Sequence, residues 1–70
     1  MTTQIKSEIA GSVWKVEVQS GAAVAEADVI LIMESMKMEI PVEAPTAGVV
    51  TVLVSEGQSV QEGDVLAEVD

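Results

Sequence analysis

An internal repeat constrains the fold of this chain more than any other feature of its sequence. Residues 13–30 align with residues 49–66 at an offset of 36 positions, and eight of the eighteen aligned pairs are identical. The identical pairs are Val13/Val49, Val16/Val52, Val18/Val54, Gly21/Gly57, Val24/Val60, Glu26/Glu62, Asp28/Asp64 and Val29/Val65. Two units are too few for a solenoid, which needs about three. The repeat therefore predicts two halves that are related by a pseudo-twofold axis and bury their apolar faces against each other.

Alternating side chains predict that each half consists of short β-strands. Trp14, Val16 and Val18 alternate with polar residues in the first half, and residues 50–54 form the equivalent set. Valine occurs thirteen times in the 70 residues, and β-branched side chains favour strands. We therefore predict one domain over residues 1–70, with an all-β sandwich or flattened barrel of about eight short strands. Trp14 is expected to be buried or half-buried on its strand.

The two halves differ at one predicted turn. Gly63 lies between Glu62 and Asp64, and glycine can adopt the backbone conformation of a tight turn at little steric cost. Ala27 stands at the equivalent position of the first half. That turn must therefore either use a conformation that alanine tolerates or carry backbone strain.

Residues 29–40 are compatible with either a helix or a hairpin. Met, Glu, Lys and Leu are good helix formers, and the segment lacks the Asn-Gly or Asp-Gly pair that is typical of tight hairpins. Against a helix, residues 29–32 form a β-type run and Pro41 would stop a helix early. The repeat favours a hairpin, because the first half passes into the second near Lys37.

Lys37 is the most unusual candidate functional residue. It lies between Met36 and Met38, and the chain has only two other lysines and no arginine. A phosphate site would require clustered cations or a glycine-rich run of backbone donors. A single amine between apolar side chains instead suits covalent attachment of a prosthetic group. The alternative is an ordinary solvated lysine, with the two methionines packed inward.

Composition excludes several other functions. The chain has no cysteine or histidine, which argues against a disulfide or a structural zinc site, and we predict no metal site. A net charge of −9 and a single aromatic residue argue against nucleic-acid binding and against anionic membranes. Without His, Cys or Arg, and with no carboxylate pair that the sequence can place as acid and base, we predict no catalytic residues. We expect an acidic, cytoplasmic protein.

Three motifs, in order, resemble the biotinyl domain, which is the biotin carboxyl carrier module of biotin-dependent carboxylases. They are the core motif Glu34-Ser35-Met36-Lys37-Met38-Glu39, the stretch over residues 44–50, and the glycine-containing stretches over residues 56–60 and 62–66. The resemblance covers nearly the whole chain. It is strongest to the small free-standing members of the biotin/lipoyl attachment family.

This resemblance implies a fold and a function. The fold would be a flattened β-barrel of two four-stranded antiparallel sheets with pseudo-twofold symmetry, without the protruding thumb insertion of some carrier domains. Lys37 would lie at a hairpin tip, with the chain termini at the opposite end. A biotin protein ligase would attach biotin to Lys37. The monomeric domain would then act as a carrier rather than an enzyme, moving carboxylate from a biotin carboxylase to a carboxyltransferase.

The resemblance also implies roles for the residues around Lys37. Met36 and Met38 would contact the ligase or position the biotin ring, with packing of the hairpin as the alternative. Glu34, Ser35 and Glu39 complete the segment that the ligase would recognise, although solvated surface charge is the simpler interpretation of the two glutamates. Ser35 stands where members of the family commonly have alanine.

Two other functions stay open at this point. One is a lipoyl carrier, which shares the fold but typically has aspartate and alanine around the lysine. The other is an unmodified interaction domain in which the exposed lysine is coincidental. The sequence does not identify the acceptor of the carboxyl group.

Overall fold

Eight β-strands form the regular structure of residues 2–70, which are the residues that the computed structural model describes. They are β1 (Thr3–Lys6), β2 (Gly11–Val16), β3 (Ala23–Val24), β4 (Val29–Ser35), β5 (Met38–Glu43), β6 (Gly48–Val52), β7 (Ser59–Val60) and β8 (Val65–Val69). One sheet has the order β1-β8-β6-β3 and the other β5-β4-β2-β7, and every strand pair is antiparallel. The predicted all-β fold of two four-stranded sheets is confirmed. Within the described range, no helix has the length and apolar character needed to cross a membrane.

The strand order also confirms the pseudo-twofold symmetry. Strands β1 to β4 correspond to β5 to β8, and this exchange converts the order of one sheet into that of the other. The offset is 36 residues where β3 and β7 begin, at Ala23 and Ser59, and again where β4 and β8 begin, at Val29 and Val65. Residues 17–28 contain only β3 and its flanking turns, so there is no thumb between β2 and β4.

The core lies between the two sheets and is built mainly from aliphatic side chains. Full burial of one such side chain stabilises a fold by about 1.5–3 kcal/mol, so this cluster can hold a small domain together without a metal or disulfide. Its buried members are Ile5, Val13, Val24, Ile30, Leu31, Met33, Ala44, Val50, Val60, Leu66, Ala67 and Val69.

A β-bulge in β2 makes one prediction wrong. Val13 pairs with Met33 and Lys15 with Ile32, so Trp14 is an extra residue on this strand. An extra residue shifts the alternation, because side chains on a strand point to opposite faces in turn. Val13 is therefore the core residue, whereas Trp14 is 47% exposed rather than on the predicted apolar face.

The turn at Ala27 adopts the strained alternative. Ala27 has a φ angle of 74°, close to the 89° of Gly63 at the equivalent position. The flanking hydrogen bonds also match. The Asp28 carboxylate accepts a hydrogen bond from the Ala25 N–H at 2.8 Å. The Asp64 carboxylate accepts the equivalent bond from the Gln61 N–H, also at 2.8 Å. The two halves therefore use the same turn, although only one has the glycine that favours it.

Candidate attachment site

A two-residue turn connects β4 and β5. Ser35 and Met38 form the last pair of the strand ladder, which leaves Met36 and Lys37 as the turn residues. Their φ angles are 52° and 65°, and a type I′ hairpin turn requires positive φ at both central residues. Residues 29–43 are therefore a hairpin and not a helix, and Lys37 lies at its tip.

The turn is strained, because neither central residue is Gly, Asn or Asp. A non-glycine residue held in this region costs about 1 kcal/mol or more, and the surrounding structure must impose it. Here the six residue pairs of the β4–β5 ladder fix where the chain reverses. No local sequence feature indicated this turn type, since Met-Lys is not a usual pair of hairpin turn residues.

The three central side chains of the motif point into solvent. Met36 is 90% exposed and Met38 is 64% exposed, and Lys37 is exposed between them. The alternative in which both methionines pack inward is therefore wrong. Large apolar side chains held mostly in water contribute little to the stability of the fold.

Lys37 differs from the other lysines in its surroundings. The Lys15 ammonium lies 3.9 Å from the Glu17 carboxylate, and this is the one ion pair within residues 2–70. Lys6 lies within β1, on the strand ladder with β8. Lys37 thus combines a tip position with an amine that pairs with no carboxylate in the described part of the chain.

The root of the hairpin is held rigidly to the body of the domain. Ser12 and Glu34 form the last pair between β2 and β4, and the Ser35 hydroxyl donates a hydrogen bond to the Ala10 carbonyl at 2.9 Å. Gly11 packs so closely that a β-carbon there would lie 2.6 Å from the Glu34 carbonyl oxygen. The tip therefore projects from a fixed base.

Two of the predicted recognition residues face each other. Glu34 and Glu39 are directly opposite on β4 and β5, and both are exposed. Like charges in this arrangement destabilise a strand pair. All six motif residues are thus brought together on the hairpin, with Ser35 bonded to the body and the other five exposed.

The start of β1 and the C-terminal residue lie at the far end of the domain from Lys37. Strand β5 leads away from the turn to Glu43, and its six residues span about 20 Å. After the following loop the chain enters β6 at Gly48, which packs against Asp70, while Thr3 pairs with Val69 at the start of β1.

Residues 2–70 contain no group of three or more Asp, Glu, His or Cys side chains placed to hold a metal ion.

Two packed β-sheets that present an unpaired lysine on a strained, projecting turn define a carrier domain for a covalently attached group. The residues fit such a group, because nothing in the described structure covers the amine and the flanking side chains are uncharged. The family model described as "Biotin-requiring enzyme" matches residues 1–69. The chain belongs to this biotin/lipoyl family, and biotin is the cofactor that the match supports.

Curated relatives of similar length agree with this assignment. The chain is 46% identical over 68 residues to the "Biotinylated protein TB7.3 homolog" of Mycobacterium leprae, covering 96% of each protein. It is also 46% identical over 69 residues to the "Biotin/lipoyl attachment protein" of Bacillus subtilis, covering 97% of this chain and 92% of that protein.

Solved structures of large carboxylases contain a similar domain. The urea carboxylase of Kluyveromyces lactis matches with a TM-score of 0.93 and 32% identity over 100% of this chain. A single-chain, multi-domain long-chain acyl-CoA carboxylase matches with a TM-score of 0.84 and 31% identity over 96% of this chain. This chain spans only 6% and 7% of those two chains, so it corresponds to one small domain of each.

Proposed function

We propose that Lys37 carries the biotin and that the domain moves carboxyl groups between two active sites. The observation that carries this proposal is the position of Lys37 at a two-residue turn with an exposed side chain. Met36 and Met38 flank the amine, and we assign them to contacts with the ligase or with the biotin ring. Glu34, Ser35 and Glu39 form the rest of the surface that the ligase reads.

Attachment requires only an accessible nucleophile from this chain. An ordinary lysine is mostly protonated at neutral pH, so a ligase must supply both a base and an activated biotin. In the step that we propose, the neutral Lys37 Nζ attacks the carbonyl carbon of a biotinyl-adenylate. The amide C–N bond forms, the C–O bond to phosphate breaks, AMP leaves, and the base takes the proton from nitrogen. Because an ammonium becomes a neutral amide, the net charge falls by one from −9.

The proposed partners are a biotin protein ligase, a biotin carboxylase and a carboxyltransferase. When bound, biotin accepts carboxylate at the first active site and releases it at the second. The protein contributes a rigid base, a projecting hairpin and an acidic surface that steers the domain toward basic surfaces. The proposal makes this chain a carrier rather than an enzyme, since it supplies no catalytic acid, base or nucleophile.

The carrier role can be tested with labelled bicarbonate. Biotinylated protein is incubated with a biotin carboxylase, ATP and radioactive bicarbonate, and acid-labile label on the protein is counted. We expect label on the wild-type chain and on a Lys15→Ala control, and none on Lys37→Ala. A biotinylated wild-type chain that takes up no label with any of several biotin carboxylases would reject the carboxyl-carrier role.

Lipoate is a second candidate cofactor, favoured by the attachment protein of Bacillus subtilis to which this chain is 46% identical. Incubation with a lipoate ligase and with a biotin ligase, each followed by intact-mass measurement, separates the two. Exclusive lipoylation would replace the carboxyl carrier by an acyl carrier. A chain that neither ligase modifies would support the unmodified interaction domain.

A further inference from the structure

The tip of the β4–β5 hairpin carries two thioether side chains that face water. Met36 is 90% exposed and Met38 is 64% exposed, and both are neighbours of Lys37 in the chain. A thioether is a soft, polarisable group, and oxidants that can reach its sulfur convert it to a sulfoxide. Both side chains that flank the candidate attachment site are therefore open to oxidation.

Met33, on the same hairpin, is protected from this reaction. It is 1% exposed and belongs to the core cluster between the two sheets. Its sulfur also accepts a hydrogen bond from the Ser7 hydroxyl at 3.4 Å, which engages an electron pair that an oxidant would need. Because Met33 lies in the strand that leads to the tip, the hairpin contains its own control for selective oxidation.

The negative charge around the tip selects the kind of oxidant. Glu34 and Glu39 face each other across the two strands next to the turn, and the chain has a net charge of −9. This potential repels anionic oxidants such as peroxynitrite and does not hinder the approach of neutral hydrogen peroxide. A protonated amine has no free electron pair, so the reaction at the tip is confined to sulfur.

We propose that hydrogen peroxide converts Met36 and Met38 to sulfoxides, and that this reversible modification impedes the loading of Lys37 by a biotin protein ligase. The inference rests on the proposed attachment of biotin to Lys37. A sulfoxide oxygen is a polar hydrogen-bond acceptor. A ligase surface that covers the apolar tip removes water from this oxygen without supplying a new hydrogen bond, and such burial is unfavourable.

The same reaction occurs at each sulfur. The sulfur electron pair attacks one peroxide oxygen, the S–O bond forms and the O–O bond breaks. The second oxygen takes up the proton of the first and leaves as water, so sulfur loses two electrons and peroxide gains them. In the reverse direction a methionine sulfoxide reductase takes two electrons from a pair of thiols, which form a disulfide, and the sulfoxide oxygen leaves as water.

Oxidation at the tip leaves the fold intact. Both side chains lie mostly in water, so the added oxygen atoms displace no packing in the core. The modification therefore changes the surface that a ligase meets and not the stability of the domain. A loss of loading at an unchanged Tm separates this effect from general oxidative damage.

The test treats the unmodified protein with hydrogen peroxide, which catalase removes before ligase, biotin and ATP are added. We expect tandem mass spectrometry to find sulfoxides on Met36 and Met38, with Met33 unoxidised. The kcat/KM for biotinylation should fall about tenfold or more, and methionine sulfoxide reductases should restore it. The Tm measured by circular dichroism should stay close to that of the untreated protein.

A double variant, Met36→Leu with Met38→Leu, is the matched control, because it keeps apolar side chains of similar size and removes both sulfurs. Its biotinylation rate after peroxide should equal its own rate without peroxide. A wild-type chain that carries both sulfoxides and is biotinylated at the untreated rate would overturn the proposal, as would a loss of rate that the reductases do not reverse. An untreated chain that takes up no biotin would instead reject the proposed function, on which this effect depends.

Discussion

Replacing Met36 by asparagine should make the domain more stable while impairing its modification. Met36 has a φ angle of 52° and a side chain that is 90% exposed. Asparagine tolerates this left-handed conformation and is favoured in type I′ turns. The substitution therefore relieves strain and removes almost no packing.

The size of the effect follows from these two quantities. Full burial of a methionine is worth about 1.5–3 kcal/mol, so the buried tenth of Met36 contributes roughly 0.2 kcal/mol. Relief of the left-handed strain returns about 1 kcal/mol. The net gain of about 0.8 kcal/mol corresponds to a rise in Tm of about 3–6 °C for a domain of this size.

Met38→Asn is the matched control, because Met38 is also exposed but its φ angle is not positive. Asparagine is disfavoured in strands, so this variant should have a lower Tm than the wild type. Thermal unfolding followed by circular dichroism measures both. An unchanged or lower Tm for Met36→Asn would refute the argument from strain. With purified ligase, kcat/KM for biotinylation of Met36→Asn should fall about fivefold or more, as expected for the loss of one interface contact of about 1 kcal/mol.

Four further substitutions test other parts of the structure. Ala27→Gly should raise the free energy of unfolding by about 0.5–1 kcal/mol and Gly63→Ala should lower it by a similar amount, because both positions have positive φ. Urea titration measures both variants. Equal effects of the same sign would contradict the turn geometry. Gly11→Ala should lower the free energy of unfolding by about 1–3 kcal/mol, since the new β-carbon would lie 2.6 Å from the Glu34 carbonyl oxygen. An unchanged free energy of unfolding in urea would show that the hairpin root is not tightly packed. Ser35→Ala should lower the free energy of unfolding by about 0.5–1.5 kcal/mol, because it removes the hydrogen bond to the Ala10 carbonyl. Hydrogen exchange at the Met38 amide should become faster, and an unchanged exchange rate would show that this bond does not hold the hairpin.

The arrangement of strands could be predicted because the repeat acts on the whole chain. Two halves with the same pattern must each bury the same face, and this requirement fixed the number of strands, the symmetry and the reversal near Lys37.

The exposed position of Trp14 could not be predicted from alternation, because a bulge is a property of how two strands pair. A signal was nevertheless present. Gly11 and Val13 match Gly48 and Val50 at an offset of 37, one more than in the rest of the repeat, which is the trace of one inserted residue. In the structure Val13 and Val50 are both buried and Val49 is 47% exposed, as this alignment requires.

The attachment motif could be located from the sequence, but not its backbone geometry. Met36 and Lys37 have no intrinsic preference for positive φ, so the turn is imposed by the ladder between β4 and β5. The facing of Glu34 and Glu39 likewise became visible only once the register was known.

Peptide mapping after modification tests the central claim most directly. The folded chain is incubated with a biotin protein ligase, biotin and ATP, digested, and sequenced by tandem mass spectrometry. Because Lys37 alone lies on a projecting turn, we predict one biotin per chain, located on Lys37, with Lys6 and Lys15 unmodified. Biotin on Lys6 or Lys15 of the folded protein, with Lys37 unmodified, would contradict the account.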